Sequence, residues 1–352
     1  MRIGIPREIK TLEGRVALVP AACGDLVRAG HEVFIETEAG VHSGFSDADF
    51  ESVGVQVLPD AAALYGKAEL VVKVKEPIAG DLQHLRSDHL LFCYLHLAAE
   101  PDLTRSLLDI GLTGVAFETV ETADGSLPLL APMSNIAGRI GVQKGIHLLH
   151  QPDGGKGILL GGLPAADRGH VVVLGAGAAG GNSARLAAAA GARVTVFDKR
   201  PDRLAEMMAI GANVTALYPY VETVTEFVTR ADMVVGAVLV TGARAPHVVT
   251  RGMVESMDEG SVIVDISVDQ GGCVETTRPT TYAEPTYSEH GVTHFCVTNM
   301  PGAVPRTSSH ALSAALLPYV QRMARSDWDS DPALKLGVNV QGGEIIHPAL
   351  KD

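Results

Sequence analysis

The chain has 352 residues, which is long enough for two domains. Its formal net charge of −13, without any basic run, argues against nucleic acid and anionic membranes as partners. No apolar stretch is long enough to cross a bilayer, and the amino terminus lacks the apolar core of a secretory signal, so we expect a cytoplasmic protein. The 4 cysteines are widely spaced, so we expect reduced thiols that pack as small hydrophobic side chains.

The first third of the chain alternates between predicted strands and predicted helices. Its apolar, β-branched runs predict strands at residues 2–5, 32–36, 55–58, 70–74, 90–94 and 114–117. A helical pattern over residues 21–29 ends at Gly30. This part carries no glycine fingerprint, so we expect an α/β domain that holds the substrate.

The middle of the chain carries the strongest motif. A β-branched run leads directly into the pattern G-x-G-x-x-G, formed by Gly175, Gly177 and Gly180, and a helix of small residues follows. Gly175 allows a tight turn, Gly177 lets a pyrophosphate approach the backbone, and Gly180 lets the helix pack closely on the sheet. The helix N-terminus would then offer unpaired N–H groups and a positive dipole end to the phosphates.

A second predicted strand completes this dinucleotide-binding unit. It covers residues 193–197 and ends at Asp198, whose carboxylate can accept hydrogen bonds from the adenine ribose. Because that charge would repel a 2′-phosphate, the motif favours NAD over NADP. Lys199 and Arg200 follow directly and would partly offset the charge towards NADP.

The remaining patterns complete the predicted organisation. Further strands are predicted at 214–217, 233–236, 261–266 and 294–297, a long inter-domain helix at 134–150 and a tail helix at 308–325. We expect two Rossmann-like, doubly wound α/β domains with a cleft between them. A discontinuous substrate domain would comprise residues 1–128 and 305–352, and an NAD-binding domain at 129–304 would be inserted into it.

Four polar residues stand out near the predicted strands. Arg15 follows the first strand, and Lys75 and His96 follow the fourth and fifth. Asp269 follows the strand at 261–266, and open α/β sheets bind ligands at such carboxyl ends. Taken singly, each has an ordinary explanation: a surface arginine, a solvent ion pair, a packed histidine or a turn aspartate.

Beside a nicotinamide these four residues form a coherent set. Arginine and lysine can hold a small carboxylate, the arginine in its bidentate geometry. Histidine and aspartate can move protons while a carbon exchanges hydride. The histidines show no metal-ligand spacing, so we expect no metal.

With these residues in view, the chain resembles the alanine dehydrogenase family over nearly its whole length. The shared motifs occur in one order: G-I-P-R-E from Gly4, R-V-A from Arg15, V-K-E-P from Val74, Y-L-H-L-A-A from Tyr94, P-M-S from Pro132, G-A-V-L-V from Gly236, D-Q-G-G from Asp269 and N-M-P from Asn299. The resemblance implies reversible NAD-dependent oxidative deamination of L-alanine to pyruvate and ammonia, in a homohexamer.

The resemblance also implies roles for individual residues. Substrate and protons would be handled by Arg15, Lys75, Met133 and Asn299 as binding residues and by His96 and Asp269 as catalytic residues. The cofactor would contact Ser134, Gly175, Gly177, Ala178, Ala179, Gly180, Asp198, Lys199, Arg203, Tyr220, Val238, Leu239, Val240, Ile266, Ser267, Val268, Asp269, Val297, Thr298, Asn299, Met300 and Pro301. Tyr220 stands where the family resemblance leads us to expect a serine near the adenine.

Two alternatives stay open. A dehydrogenase for another small amino or imino acid would carry the same residues, because one methylene in an apolar pocket changes binding by only ~1–3 kcal/mol. A non-catalytic NAD-binding module similar to that of transhydrogenase would need the fingerprint but not the four polar residues. Residues 134–138 resemble that family, but its arginine-rich R-x-x-R-A-Q segment is missing.

Overall fold

The computed structural model describes residues 1–238 and 245–351. They form two compact units, the first made of Met1–Met133 with Gly302–Asp352 and the second of Ser134–Pro301. The sequence predicts domain boundaries after residue 128 and before residue 305. In the structure the first unit continues to Met133 and resumes at Gly302.

The first unit is built around a sheet of eight strands. The strands are β1 (Arg2–Ile5), β2 (Glu32–Glu36), β3 (Gln56–Leu58), β4 (Leu70–Val72), β5 (Leu90–Cys93), β6 (Thr113–Ala116), β14 (Val338–Gln341) and β15 (Glu344–Ile345). Their order is β15-β14-β6-β5-β4-β1-β2-β3. The run from β6 to β3 is parallel, and β14 pairs antiparallel with both β6 and β15.

The helices of the first unit connect and cover these strands. They are α1 (Pro20–Arg28), α2 (Asp47–Glu51), α3 (Ala61–Lys67), α4 (Ala79–Leu82), α5 (Pro101–Ile110), α11 (Pro305–Met323) and α12 (Pro332–Gly337). The long helix α6 (Ala131–Leu148) begins in the first unit and continues into the second. Strands β4 and β5 are buried along their whole length, as parallel strands covered on both faces are.

The second unit is built around a sheet of seven strands. These are β7 (His170–Leu174), β8 (Arg193–Phe197), β9 (Val214–Leu217), β10 (Met233–Gly236), β11 (Val262–Asp265), β12 (Thr286–Glu289) and β13 (Val292–Phe295). Their order is β12-β13-β11-β10-β7-β8-β9, with β12 antiparallel and the others parallel. The accompanying helices are α7 (Ala178–Ala189), α8 (Pro201–Met208), α9 (Val221–Thr229) and α10 (Arg251–Glu255).

Both sheets confirm the predicted fold class, because each contains the doubly wound Rossmann order. In the first sheet the order reverses between β1 and β4, and in the second between β7 and β10. Open α/β sheets bind ligands at the carboxyl ends of the strands beside such a reversal. In the part of the chain that the structure describes, no helix is long and apolar enough to cross a membrane.

Candidate active site

The sheet topology brings the predicted site residues to the carboxyl ends of the central strands. In the first unit Arg15 and Lys75 follow β1 and β4, and His96 follows β5. In the second unit the glycine turn follows β7, and Asp269 follows β11. Each group therefore lies at or next to the reversal of strand order in its own sheet.

Arg15 is buried, with only 2% of its surface exposed, which rules out a surface arginine. Its Nε and Nη2 donate to the Glu13 carboxylate at 2.6 and 2.5 Å, and its Nη1 lies 3.2 Å from the Met133 sulfur. Burial opposes the guanidinium charge, but Glu13 outweighs it, and the pKa of Arg15 is raised. Glu13 thus occupies the Nε–Nη2 edge of the guanidinium.

The segment that carries Arg15 is held by helix α11, far along the chain. Ser309 Oγ accepts the N–H of Val16 at 2.9 Å, and Ser313 Oγ accepts the N–H of Val19 at 3.0 Å. These bonds satisfy buried backbone donors in a segment without regular structure. The position of Arg15 in the first unit therefore depends on residues almost three hundred positions later.

Lys75 and His96 lie together. Lys75 Nζ is 3.4 Å from His96 Nε2 and 3.8 Å from Glu76 Oε2. The ion pair with Glu76 is therefore present, but it is buried rather than solvated, since the Lys75 side chain is 14% exposed. Burial lowers the pKa of Lys75, the charge of Glu76 opposes that shift, and nearby Arg15 adds to it.

His96 has an unusual backbone held by an acid that sequence reasoning missed. Its φ is +51°, in the left-handed region that favours glycine, and such a residue persists only where its surroundings hold it. Glu118 Oε1 accepts the N–H of His96 at 2.6 Å and that of Leu95 at 3.1 Å. The His96 ring stacks on Tyr94, with centroids 5.8 Å apart. The only sequence signal for Glu118 is an acid directly after a predicted strand.

A buried ionic cluster supports the backbone next to Lys75. Lys73, 1% exposed, lies 3.3 Å from both Glu8 and Asp81. Burial opposes the charge of Lys73, but the two carboxylates outweigh it, and the pKa of Lys73 is raised. The second oxygen of Glu8 accepts the N–H of Val74 at 2.7 Å. A lysine inside an apolar strand was the signal for this cluster, which the sequence reasoning did not use.

In the second unit the glycine turn has the geometry that a dinucleotide requires. Gly175 has φ +95°, and a Cβ at Gly180 would overlap the Gly175 carbonyl oxygen, so the turn itself needs both glycines. A Cβ at Gly177 would meet nothing within 4 Å. Gly177 and the following Ala178 are exposed at the start of α7, while Ala179 is half-buried. The turn therefore presents bare backbone and a helix N-terminus, which fits a pyrophosphate.

Asp198 closes this turn. Its carboxylate accepts the N–H of Ala176 at 2.7 Å and the N–H of Arg200 at 2.8 Å. Lys199 is exposed, and the Arg200 guanidinium binds Asp202 at 2.6 Å. The positive charge of Arg200 is thus balanced by a neighbour rather than directed solely at Asp198.

The loop after β11 is organised by Asp265, a second missed residue. Its oxygens accept the N–H groups of Ser267 and Cys273 at 2.9 and 3.0 Å, and the hydroxyl of Thr277 donates to it at 2.7 Å. Burial raises the pKa of Asp265, against these hydrogen bonds. The loop turns so that Asp269 is exposed. The signal was a charged residue within an apolar strand.

The other predicted cofactor residues are more scattered. Ser134 and Ile266 are half-buried, whereas Ser267, Val268, Val297, Met300 and Pro301 are buried. Thr298 is exposed, and Asn299 is half-buried. The Tyr282 hydroxyl donates to the Met300 carbonyl at 2.8 Å.

The remaining predicted cofactor residues lie elsewhere in the second unit. Arg203 pairs with Glu206 at 3.0 Å, and Tyr220, just before α9, is 64% exposed. Val238 is half-buried, and Leu239 and Val240 lie outside the described residues.

Comparison with known families covers almost the whole chain. Residues 4–137 match the model of the alanine dehydrogenase/PNT N-terminal domain, and residues 141–348 match that of the C-terminal domain. An alanine dehydrogenase of Halomonas elongata is 47% identical over 100% of this chain and 96% of its own. One from Geobacillus stearothermophilus is 48% identical over 99% of this chain and 95% of its own.

Solved structures agree with this grouping and confirm the family resemblance. An L-alanine dehydrogenase structure superimposes with a TM-score of 0.95 at 48% identity, covering 100% of this chain and 98% of the other. A transhydrogenase from Sinorhizobium meliloti gives a TM-score of 0.85 at 25% identity, covering 99% and 100%. The chain therefore belongs to the alanine dehydrogenase/PNT family.

Proposed function

We propose that the chain catalyses the reversible oxidative deamination of L-alanine to pyruvate and ammonia with NAD. The observation that carries this proposal is the buried Arg15, which lies with Lys75 and His96 at the carboxyl ends of β1, β4 and β5. The chain that carries this arrangement is about half identical to proteins named alanine dehydrogenase over almost their whole length.

The first unit would bind the substrate. Arg15 and Lys75 present two cationic groups to a carboxylate, and both are shielded from water, which strengthens their attraction for an anion. Met133 contacts Arg15 and would limit the room beside the substrate methyl group. Such limited room would suit alanine and pyruvate better than bulkier amino acids and keto acids.

His96 and Asp269 would handle the protons. In the oxidative direction the Cα of alanine loses hydride, water adds to the resulting imine carbon, and ammonia leaves, with a proton moved at each stage. The imidazole can accept or donate these protons, and its position is set by Glu118 and Lys75. Asp269 is exposed on the loop that Asp265 holds, so its carboxylate can meet a substrate or water molecule.

The second unit would bind the nicotinamide dinucleotide, which supplies the hydride acceptor when it is bound. The turn from Gly175 to Gly180 would take the pyrophosphate, and Asp198 would take the adenine ribose. Support for NAD over NADP comes from the Asp198 carboxylate and from the pairing of Arg200 with Asp202. The assembly proposed from the family resemblance is a homohexamer, which light scattering of the purified protein would test.

A substrate panel tests the proposed function. Consumption of NADH would be followed by absorbance with ammonium and the keto acids of alanine, serine, 2-aminobutyrate, valine and lysine, and repeated with NADPH. We expect the highest kcat/KM for pyruvate with NADH. A higher kcat/KM for another keto acid would identify the corresponding amino acid, rather than alanine, as the substrate. NADH binding without any turnover would favour a transhydrogenase-like module, to which one solved structure is similar.

A further inference from the structure

The end of helix α6 carries a group of donors that the proposed reaction does not use. His147, His150 and Asp153 each offer one ligand atom, and these atoms all lie within 4.8 Å of one another. We propose that they bind a divalent transition-metal ion of the zinc type. In sequence the histidines show no familiar ligand spacing, and the three donors meet only because a tight turn follows the helix.

Backbone hydrogen bonds hold the three residues in one turn. The N–H of His150 bonds to the His147 carbonyl at 3.1 Å, and the N–H of Asp153 bonds to the His150 carbonyl at 3.1 Å. Gly154, with φ +85°, then reverses the chain, and the N–H of Gly155 returns to the His150 carbonyl at 3.1 Å. The pattern H-x-x-H-x-x-D is thus folded into one compact turn.

The distances suit a tetrahedral ion. His147 Nε2 lies 3.4 Å from Asp153 Oδ1. Zinc binds imidazole nitrogen and carboxylate oxygen at about 2.1 Å, so two ligands of a tetrahedral ion lie about 3.4 Å apart. The rings of His147 and His150 are 6.0 Å apart and steeply inclined, at 76°. That arrangement lets two nitrogens converge on one point without the rings colliding.

The donor set and its surroundings select the class of metal. Two imidazoles favour zinc, copper, nickel or cobalt, whereas magnesium and calcium prefer oxygen ligands. The carboxyl end of a helix carries partial negative charge, which favours a bound cation. The four cysteines are buried and cannot compete for an added ion. Three protein ligands at a surface leave a position for water, so the site is exchangeable rather than sealed.

This site is separate from the proposed chemistry. Ser134, a predicted cofactor residue, lies near the opposite end of α6, about 20 Å away along the helix axis at ~1.5 Å per residue. A metal bound at the far end would not touch a ligand there. It would join the helix end to the following turn and so stabilise the folded state by mass action.

The experiment uses the full-length protein after removal of metals with a chelator. Zinc chloride would be titrated by calorimetry at neutral pH into the wild type, His147→Gln, His150→Gln and Asp153→Asn. The matched control is His247→Gln, since His247 is another exposed histidine. Cobalt would serve as a second probe, because its visible absorption reports tetrahedral coordination. Melting temperatures without metal would show that every variant folds.

We expect one zinc ion per wild-type chain and per His247→Gln chain, with a raised melting temperature. Each ligand variant should bind at least about tenfold more weakly, because even loss of an outer partner of a ligand costs about 10- to 100-fold. Turnover without metal should be the same in all the proteins. The proposal is overturned if the wild type binds no zinc at millimolar concentration, or if the ligand variants bind zinc as tightly as the wild type.

Discussion

Arg15 shows how a buried charge is stabilised by a neighbouring carboxylate. Glu13 binds one edge of the guanidinium and keeps it charged in the interior of the first unit. Breaking such a pair leaves an uncompensated buried charge, so the pair constrains which substitutions the protein tolerates. The planar fork also gives Arg15 donors on two sides, which a lysine cannot provide.

Arg15→Lys should therefore impair substrate capture although the charge is kept. Loss of one charge-assisted hydrogen bond costs about 1.5–3 kcal/mol, which corresponds to roughly a ten- to hundredfold fall in kcat/KM for pyruvate. NADH affinity should stay near that of the wild type, since the dinucleotide fingerprint lies in the second unit. Full catalytic efficiency with pyruvate in the variant would remove Arg15 from the proposed site.

The pH dependence of substrate binding should report on Lys75. Burial lowers its pKa and Glu76 opposes that shift, so Glu76→Gln should lower the pKa of Lys75 further. Only the protonated lysine attracts a carboxylate. The KM for pyruvate should therefore rise as the pH increases through the pKa of Lys75, and in Glu76→Gln this rise should begin at a lower pH. Profiles that coincide, or a shift to higher pH, would contradict the role of Lys75.

Glu118 should act on turnover through the position of His96. Glu118→Ala removes the acceptor of two backbone N–H groups and releases a strained backbone. We expect kcat to fall by up to about a hundredfold, the cost of a ~1 Å misplacement, with little change in the KM for pyruvate. Glu118→Gln should retain most activity, because one oxygen accepts both bonds. Glu121→Ala, at another half-buried acid, is the control. Equal losses in the alanine and glutamine variants would point to a need for the charge instead.

The contrast between the residues that the sequence singles out and those that only the fold reveals has a physical basis. Lys75 and His96 could be singled out because a polar residue soon after an apolar strand interrupts a clear pattern, and Arg15 follows the first strand at a greater distance. Glu118 accepts the N–H of His96, 22 residues earlier in the chain. Asp265 accepts the N–H of Cys273, in the loop that follows its own strand. No local pattern identifies which N–H group a carboxylate will accept, so these roles required the fold.

At the scale of elements, two substitutions in the turn between β7 and α7 distinguish an effect on cofactor binding from an effect on folding. Gly177→Val places a branched side chain in open space where the pyrophosphate should lie, whereas Gly180→Val meets the Gly175 carbonyl. Gly177→Val should keep the melting temperature and lose NADH binding in a fluorescence titration. Gly180→Val should destabilise the protein by about 1–3 kcal/mol or more. Wild-type NADH affinity in Gly177→Val would refute the pyrophosphate position.

Some strands were predicted with the correct bounds, and others were not predicted at all. The strands at Arg2–Ile5, Glu32–Glu36 and Arg193–Phe197 match the prediction at both ends, because each is a buried run with polar or glycine residues beside it. Strands β12, β14 and β15 were missed. The first is polar and half-exposed at a sheet edge, and the second lies antiparallel beside β6 after a long stretch of other structure. Strands β12 and β15 lie at sheet edges, and edge strands lack the continuous apolar pattern of central parallel strands.

At the scale of the whole molecule, two units with the same doubly wound strand order carry different side chains near the strand ends. The first has no glycine fingerprint but collects buried cations, and the second has the fingerprint and exposes an acid on a loop. Fold alone would not distinguish these roles, because the doubly wound sheet hosts many functions. The proposal therefore depends on particular side chains, and the decisive test must change them without changing the fold.

That test is turnover in His96→Gln and Asp269→Asn, with melting temperature and NADH affinity measured on the same preparations. His96 is half-buried and Asp269 is exposed, so neither substitution opens a cavity in the core. The proposed mechanism predicts a strong fall in the rate of pyruvate amination in both variants, while melting temperature and NADH affinity stay close to the wild-type values. Near-normal turnover in both, or activity that falls only as folded protein is lost, would contradict it.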